Sequence, residues 1–185
     1  MTGPIMDTAA VTAAIREVAD TEILPKFRAL ADDEIIEKRP GDVVTVADRL
    51  AEQALTRIFR AANPDCLVVG EEGIYADPTP LKALPTADLA WVIDPIDGTR
   101  NFASGSPDFA VMVAEVRSGV TTRGWIWQPQ FGRGYVVERG AGVLKMRSVT
   151  TMSKSNGSTT EASSEQSVFQ RKTSLVNCGK KLKVN

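Results

Sequence analysis

The spacing of the apolar residues changes near residue 64, and this change limits the chain to folds that combine helices with a sheet. Residues 8–31 and 45–63 place apolar side chains three and four positions apart, which predicts two amphipathic helices. Pro25 should kink or restart the first one. From residue 66 onward the apolar residues form short continuous runs that are typical of strands. The predicted strands cover 66–69, 90–93, 109–116, 124–127 and 134–138. Helices followed by a strand meander predict an α+β fold.

Two helix starts are visible in the local sequence. Asp7 is the predicted N-cap of the first helix, and Thr45-Val46-Ala47-Asp48 has the S/T-x-x-D form of a capping box at the start of the second. Between the helices, residues 37–42 are polar and contain Pro40-Gly41, which is a strong turn signal. We therefore expect an exposed loop at 37–42, and loops often carry functional residues.

The composition excludes several classes of function. Histidine is absent from the 185 residues, which excludes histidine general bases, Ser-His-Asp and Cys-His nucleophiles, and zinc sites that need imidazole. Cys66 and Cys178 lie far apart without C-x-x-C spacing, so neither a disulfide framework nor a thiolate cluster is indicated. The net charge of −1 favours neither nucleic acid nor a membrane as a partner. With no secretory leader pattern and no apolar run long enough to span a bilayer, we predict a soluble, cytoplasmic protein.

The charge balance changes near residue 145. Residues 1–144 contain 14 Lys and Arg against 21 Asp and Glu, whereas residues 145–185 contain 8 against 2 and keep no helical or strand period. We therefore predict two units, an α+β domain over 1–144 and a polar, basic and disordered tail over 145–185. Three interpretations of the tail stay open: a flexible arm that contacts acidic partners, a solvated appendage, or the product of a changed reading frame.

Acidic residues follow two of the predicted strands. Gly70-Glu71-Glu72-Gly73 follows the first, and Asp94-Pro95-Ile96-Asp97-Gly98-Thr99 follows the second. The fixed φ of proline favours a tight turn that would aim both aspartates and the Ile96 carbonyl to one side. Such hard oxygen ligands suit Mg²⁺, with Glu71 as a further carboxylate. Gly98 would let the backbone approach a ligand, and free N–H groups at a helix start there would hold a phosphate.

Each of these fragments also has a purely structural interpretation. Asp-Pro-x-Asp-Gly is a common turn sequence, Glu71-Glu72 alone is typical of a solvated loop, and Asp48 alone is a typical residue of a helix N-terminus. Two separate acidic clusters at the ends of buried strands are harder to explain in this way, because their mutual repulsion needs a cation to offset it. The combination therefore favours a metal site.

One stretch of the sequence resembles a known family. The stretch reads Trp91-Val92-Ile93-Asp94-Pro95-Ile96-Asp97-Gly98-Thr99-Arg100-Asn101-Phe102. Together with the preceding Gly70-Glu71-Glu72-Gly73, it is similar to the signature of the inositol monophosphatase family of Mg²⁺-dependent phosphatases. The similarity extends over about residues 8–144 and covers the family's N-terminal half. It implies the layered α/β sandwich of inositol monophosphatases and sugar phosphatases, of which this chain would form the N-terminal portion only.

The resemblance implies a role for each matching residue. The metal ligands would be the carboxylates of Glu71, Asp94 and Asp97 and the carbonyl oxygen of Ile96. The backbone amides of Gly98 and Thr99 would bind the substrate phosphate. Thr99 paired with Asp48 would orient or deprotonate the attacking water, and the catalytic residues would be Asp48, Thr99 and Glu71. Lys38 would approach the site, whereas Arg100 is either a substrate-selecting residue or a surface charge.

The implied activity is that of a Mg²⁺-dependent phosphomonoesterase that hydrolyses inositol monophosphate or a related small phosphate ester with a metal-activated water. The family's second half carries a Trp-Asp-x-Ala-Ala-Gly-type motif whose aspartate completes the metal site, and residues 145–185 do not contain it. A second hypothesis is therefore a catalytically dead, truncated homologue with an exposed apolar sheet face. A third is a binding module that uses the basic tail. The phosphate ester and the formation of a homodimer, which is frequent in the family, stay open.

Overall fold

The computed structural model describes residues 6–147, which combine helices with strands as the sequence predicts. The α-helices are α1 (Thr8–Val18), α2 (Val46–Ala62), α3 (Glu71–Ala76) and α4 (Thr99–Ala103). The strands are β1 (Ile35–Arg39), β2 (Asp42–Thr45), β3 (Leu67–Gly70), β4 (Ala90–Asp97), β5 (Ala110–Arg117), β6 (Val120–Gln128), β7 (Arg133–Glu138) and β8 (Gly142–Arg147). In this part of the chain, no helix has the length and apolar character needed to cross a membrane.

Strands β3 to β8 form one mixed sheet in which sequential strands are neighbours. The spatial order is β3-β4-β5-β6-β7-β8, with β3 and β4 parallel and each later pair antiparallel. The turn between β5 and β6 places both Ser118 and Gly119 at positive φ, 47° and 75°. Tight hairpin turns of this kind match the right-handed twist of the strands that they join.

The core lies between the sheet and the two long helices. Phe59 of α2 stacks on Trp91 of β4, with the ring centroids 4.3 Å apart. Trp125 of β6 is also buried, and its indole N–H donates to Thr12 of α1 over 3.1 Å. Burial of these large rings removes much apolar surface from water and packs α2 against β4. These two elements hold most of the candidate site residues.

Both predicted helix starts are confirmed. The Asp7 carboxylate accepts the N–H of Ala10 over 2.7 Å and caps α1. At α2, Asp48 Oδ2 accepts the backbone N–H of Thr45 over 2.8 Å, which is half of a capping box. Both contacts join residues three positions apart, so the local sequence was sufficient to predict them.

The first predicted helix is shorter than its apolar pattern suggested. Regular α-helix ends at Val18, a wider π-helical turn follows over Ala19–Ile23, and a 3₁₀ turn ends at Lys26. Pro25 explains the change, because it has no N–H to donate to the fourth residue before it and its ring clashes with that residue's carbonyl. The prediction over 8–31 is therefore wrong beyond Lys26.

Two segments predicted as irregular are strands. Residues 37–42 belong to a β-hairpin, β1–β2, in which Gly41 adopts a φ of +81°. Likewise, β4 does not end at residue 93 but continues through Asp97. Pro95 is tolerated there because the register with β5 shifts between Asp94 and Asp97, and a bulge removes the need for its missing N–H.

The last strand, β8, was missed because its alternating Leu144-Lys145-Met146-Arg147 crosses the change of composition at residue 145, where the sequence predicts the end of the domain. The predicted domain boundary at 144 falls inside it. The remainder of the predicted tail, from residue 148, lies outside the described residues, and its disorder stays a prediction.

Candidate active site

The bulged end of β4 brings Asp94, Ile96 and Asp97 to the C-terminal edge of the strand. Ile96 is buried, while Asp94 and Asp97 are half-buried. The Asp94 oxygen Oδ1 is shielded from solvent and has no hydrogen-bond partner among the described residues. A buried carboxylate oxygen without a donor is costly, and a cation is one of the few groups that can offset that cost.

The charge around Asp94 is strongly negative. Burial, followed by the negative charges of Glu71 and Asp97, raises the pKa of Asp94 far above its usual range. The predicted ligands are therefore close enough to repel one another. Within residues 6–147, however, no three acidic side chains are gathered as a preformed metal site. A metal bound here would therefore have to draw the carboxylates closer together, with waters and substrate phosphate completing its coordination, as is usual for Mg²⁺.

The turn after β4 begins a short helix. Gly98 has a φ of +95°, and a Cβ on it would lie 3.0 Å from the carbonyl oxygen of Asp108. Glycine is needed here for the left-handed turn and for the close approach of the Asp108 backbone, so its observed role is conformational. Helix α4 then begins at Thr99, where the sequence predicts a helix start.

Thr99 and Asp48 are in direct contact. The Thr99 hydroxyl lies 3.0 Å from Asp48 Oδ1 and 2.9 Å from the carbonyl oxygen of Ile96. Because a hydroxyl has one proton, it donates to one of these oxygens at a time and keeps its lone pairs for another donor. The contact joins residues that are 51 positions apart in sequence. It places the hydroxyl beside the C-terminal end of β4, where the acidic residues lie.

Asp48 is almost fully buried, with 2% of its surface exposed. Burial raises its pKa to about 6, although hydrogen bonds from Thr45 and Thr99 oppose the rise. The Thr45 hydroxyl donates to Oδ2 over 2.6 Å, so both carboxylate oxygens are occupied. Asp48 thus caps α2 and also accepts a hydrogen bond from Thr99.

Lys38 lies among carboxylates rather than in an exposed loop. Its side chain is only 5% exposed, and its ammonium lies 2.9 Å from Glu72, 3.7 Å from Glu71 and 3.8 Å from Asp42. Burial lowers its pKa, but these carboxylates outweigh burial and raise it. The ammonium therefore stays charged and offsets part of the negative charge at the start of α3.

The structure also shows two residues whose role the sequence did not indicate. The Arg100 guanidinium donates to the carbonyl oxygen of Gly41, so Arg100 joins α4 to the β1–β2 hairpin. Glu52 of α2 accepts the N–H groups of Glu72 and Gly73, each over 2.8 Å. The only sequence signal for Glu52 is its spacing of four residues from Asp48, which puts both on one face of α2.

A model of the inositol monophosphatase family matches residues 5–183. The chain belongs to the inositol monophosphatase family. The match extends past the 8–144 that the sequence resemblance indicated, into residues that the structure does not describe. Family membership confirms the α+β fold predicted for the N-terminal portion.

Individual relatives agree with this assignment. The chain is 36% identical over 119 residues to the Nus factor SuhB of Pseudomonas aeruginosa, covering 63% of this chain and 42% of that protein. It is 35% identical over 111 residues to the fructose-1,6-bisphosphatase/inositol-1-monophosphatase of Thermotoga maritima, covering 59% and 40%. The chain therefore spans about two fifths of the length of these relatives.

Solved structures of the family share the fold. An IMPase of Thermotoga maritima superimposes with a TM-score of 0.64 at 27% identity, covering 76% of this chain and 51% of that one. CysQ from Bacteroides thetaiotaomicron, a bacterial member of the inositol monophosphatase family, gives a TM-score of 0.57 at 28% identity, covering 82% and 53%.

Proposed function

We propose that the protein is a Mg²⁺-dependent phosphomonoesterase that hydrolyses inositol monophosphate or a related small phosphate ester. The hydrogen bond between Thr99 and Asp48, beside the acidic end of β4, is the observation that carries the proposal. A hydroxyl hydrogen-bonded to a buried carboxylate, next to oxygen atoms that can bind a metal, is suited to the hydrolysis of a phosphate ester by an activated water. The names of the relatives, which include an inositol-1-monophosphatase of Rhizobium meliloti, support the choice of substrate class.

The residues at the site suit Mg²⁺ by their chemistry. All the proposed ligand atoms are hard oxygens, and the buried Asp94 Oδ1 has no donor among the described residues. The proposed ligands are the carboxylates of Glu71, Asp94 and Asp97 and the carbonyl oxygen of Ile96. Bound there, Mg²⁺ would withdraw charge from the phosphoryl oxygens and lower the pKa of a water.

The protein's own groups supply the proton transfer and the orientation. Thr99 donates a hydrogen bond to Asp48 and so turns a lone pair toward the attacking water. As the water attacks, its proton would pass to Thr99 Oγ1 while the Thr99 proton passes to Asp48 Oδ1. Asp48, with a pKa of about 6, is mostly ionised at neutral pH and accepts that proton. The backbone N–H groups of Gly98 and Thr99, at the start of α4, would hold the phosphate. In this proposal the small phosphorylated substrate would lie between the acidic end of β4 and the start of α4.

Phosphate release from a panel of phosphomonoesters, with and without Mg²⁺, tests this function. We expect Mg²⁺-dependent release by the natural chain and loss of most of it in Asp94→Asn. Glu17→Gln is the matched control, because Glu17 is an exposed carboxylate on α1, and it should retain full activity. Release that is unchanged in Asp94→Asn would contradict the proposed ligand set. No release by folded protein would instead support a non-catalytic member of the family.

A further inference from the structure

Glu52 makes an unusual contact with the start of α3. Its Oε2 accepts the N–H of Glu72 and its Oε1 accepts the N–H of Gly73, both over 2.8 Å. These N–H groups lie in the first turn of α3, where no intrahelical acceptor is available. The half-buried Glu52 carboxylate therefore caps a helix 20 residues away in sequence.

The residue before α3 is shaped for this contact. Gly70 is the N-cap of α3 and makes no side-chain cap itself. A Cβ on Gly70 would lie far inside van der Waals contact with the carboxyl group of Glu52. A residue such as Ser, Thr, Asn or Asp at 70 would be the usual way to cap a helix. In this chain residue 70 is glycine, and the Glu52 carboxylate from α2 caps the helix instead.

The arrangement has an electrostatic cost. The Glu52 carboxylate stands beside the carboxylates of Glu71 and Glu72, and burial together with their charges raises its pKa. The two backbone N–H groups offset part of this cost. The Lys38 ammonium binds the Glu72 carboxylate over 2.9 Å and lies 3.7 Å from that of Glu71. Glu52 thus holds the backbone of this turn, while Lys38 holds its side chains.

Glu52 and Asp48 link two parts of the site through one helix. They are four residues apart on α2, where Asp48 binds Thr99 of α4 and Glu52 binds the first turn of α3. We infer that Glu52 is a positioning residue: its bidentate contact with α3 holds the Glu71 carboxylate in a fixed relation to the Asp48–Thr99 pair. The inference rests on the proposed function only in assigning Glu71 as a metal ligand.

Two variants of the full chain test this role independently. Glu52→Gln keeps the size of the side chain but places an amide NH₂ opposite one of the two N–H groups. Gly70→Ala leaves Glu52 unchanged and displaces its carboxylate by crowding. Glu17→Gln is again the control. Mg²⁺ binding is measured by calorimetry, backbone amide exchange at Glu72 and Gly73 by NMR, and folding by circular dichroism.

We expect both variants to stay folded, to exchange the amides of Glu72 and Gly73 faster, and to bind Mg²⁺ about 10-fold more weakly or worse, which is the usual effect of losing a group that orients a metal ligand. The control should match the natural chain in all three measurements. Unchanged amide exchange, or unchanged Mg²⁺ affinity despite faster exchange, would overturn the inference. If the natural chain itself bound no Mg²⁺, the proposed function would fail first, and the assignment of Glu52 would fail with it.

Discussion

At the scale of single residues, the pKa of Asp48 is set by two opposing effects, burial and hydrogen bonding. The residue is buried, which disfavours its charge, yet three donors from Thr45 and Thr99 stabilise that charge. The balance leaves its pKa at about 6. A carboxylate poised near neutral pH is suited to accept a proton during hydrolysis and to release it afterwards.

This balance predicts a pH dependence of stability. In the folded state Asp48 holds its proton more tightly than the usual value of 3.8 for the unfolded chain, so the folded state binds more protons. The contribution of Asp48 to the free energy of unfolding is therefore complete below pH 3.8, and it is lost as the pH rises through about 6. Asp48→Asn should remove this part of the pH dependence. Urea unfolding of both proteins across pH 4–8 measures it, and parallel curves would contradict the assignment.

Glu115 shows the opposite shift. It is 2% exposed, and although burial opposes its charge, hydrogen bonds from Arg123, Arg117 and Thr122 lower its pKa to about 2. Arg123 also donates to the backbone of Met6 and to Thr8, so this cluster joins the sheet to the start of α1. None of these residues is a proposed metal ligand, so a change in this cluster tests the stability of the fold and not the ligand set.

We expect Glu115→Gln to lower the free energy of unfolding at pH 7 by roughly 3 kcal/mol, since it leaves Arg123 largely buried without its counter-charge. The loss should shrink as the pH falls from about 4.5 towards 2, because the natural carboxylate is itself protonated there. Urea titrations at pH 7 and pH 3 would show this. A constant difference between the two proteins would count against the ion pair as the cause.

At the scale of elements, Arg100 joins α4 to the β1–β2 hairpin. Its guanidinium donates to the carbonyl oxygen of Gly41 in the turn, and Lys38 lies on β1 of the same hairpin. Arg100→Ala should lower stability by only about 1 kcal/mol, the usual net value of one hydrogen bond. It should, however, accelerate amide exchange in β1 and β2 more than in β5 and β6. Uniformly accelerated exchange would show a global effect instead of a local one.

The accuracy of the sequence predictions also depended on the element. The caps by Asp7 and Asp48 act over three residues, so the local sequence determined them. The bulge that carries Asp94 to Asp97 was predicted as a turn, because proline in isolation favours a turn and only the partner strand β5 provides a register that tolerates it.

Some residues of the candidate site could be predicted from the sequence, whereas others could not. A family resemblance indicated the pairing of Thr99 with Asp48, and the structure places the two in contact. Glu52 was missed because its partners are the backbone N–H groups of residues 72 and 73, and backbone groups carry no side-chain signal in a sequence. The burial of Lys38 was missed because it depends on α3 packing beside the hairpin.

At the scale of the whole molecule, the sheet retains apolar surface. Val137, Val143 and Leu144 on β7 and β8 are 37%, 50% and 63% exposed. β8 is the outer strand of the sheet within the described residues, and exposed apolar residues on an outer strand favour contact with other chains or segments. Val137 and Val143 are register partners on one face, whereas Leu144 pairs with the buried Val136 on the other. The predicted apolar face left by a missing second half therefore stays a prediction.

The central claim is that the Thr99 hydroxyl and Asp48, beside the acidic end of β4, perform hydrolysis. Mg²⁺-dependent phosphate release by Thr99→Ser and Thr99→Val tests it most directly, because the two variants differ in the hydroxyl while both keep a small side chain at the start of α4. We predict that Thr99→Ser retains most of the rate and that Thr99→Val loses it by a factor on the order of 100 or more. Equal rates in the two variants, with both proteins folded, would contradict the claim.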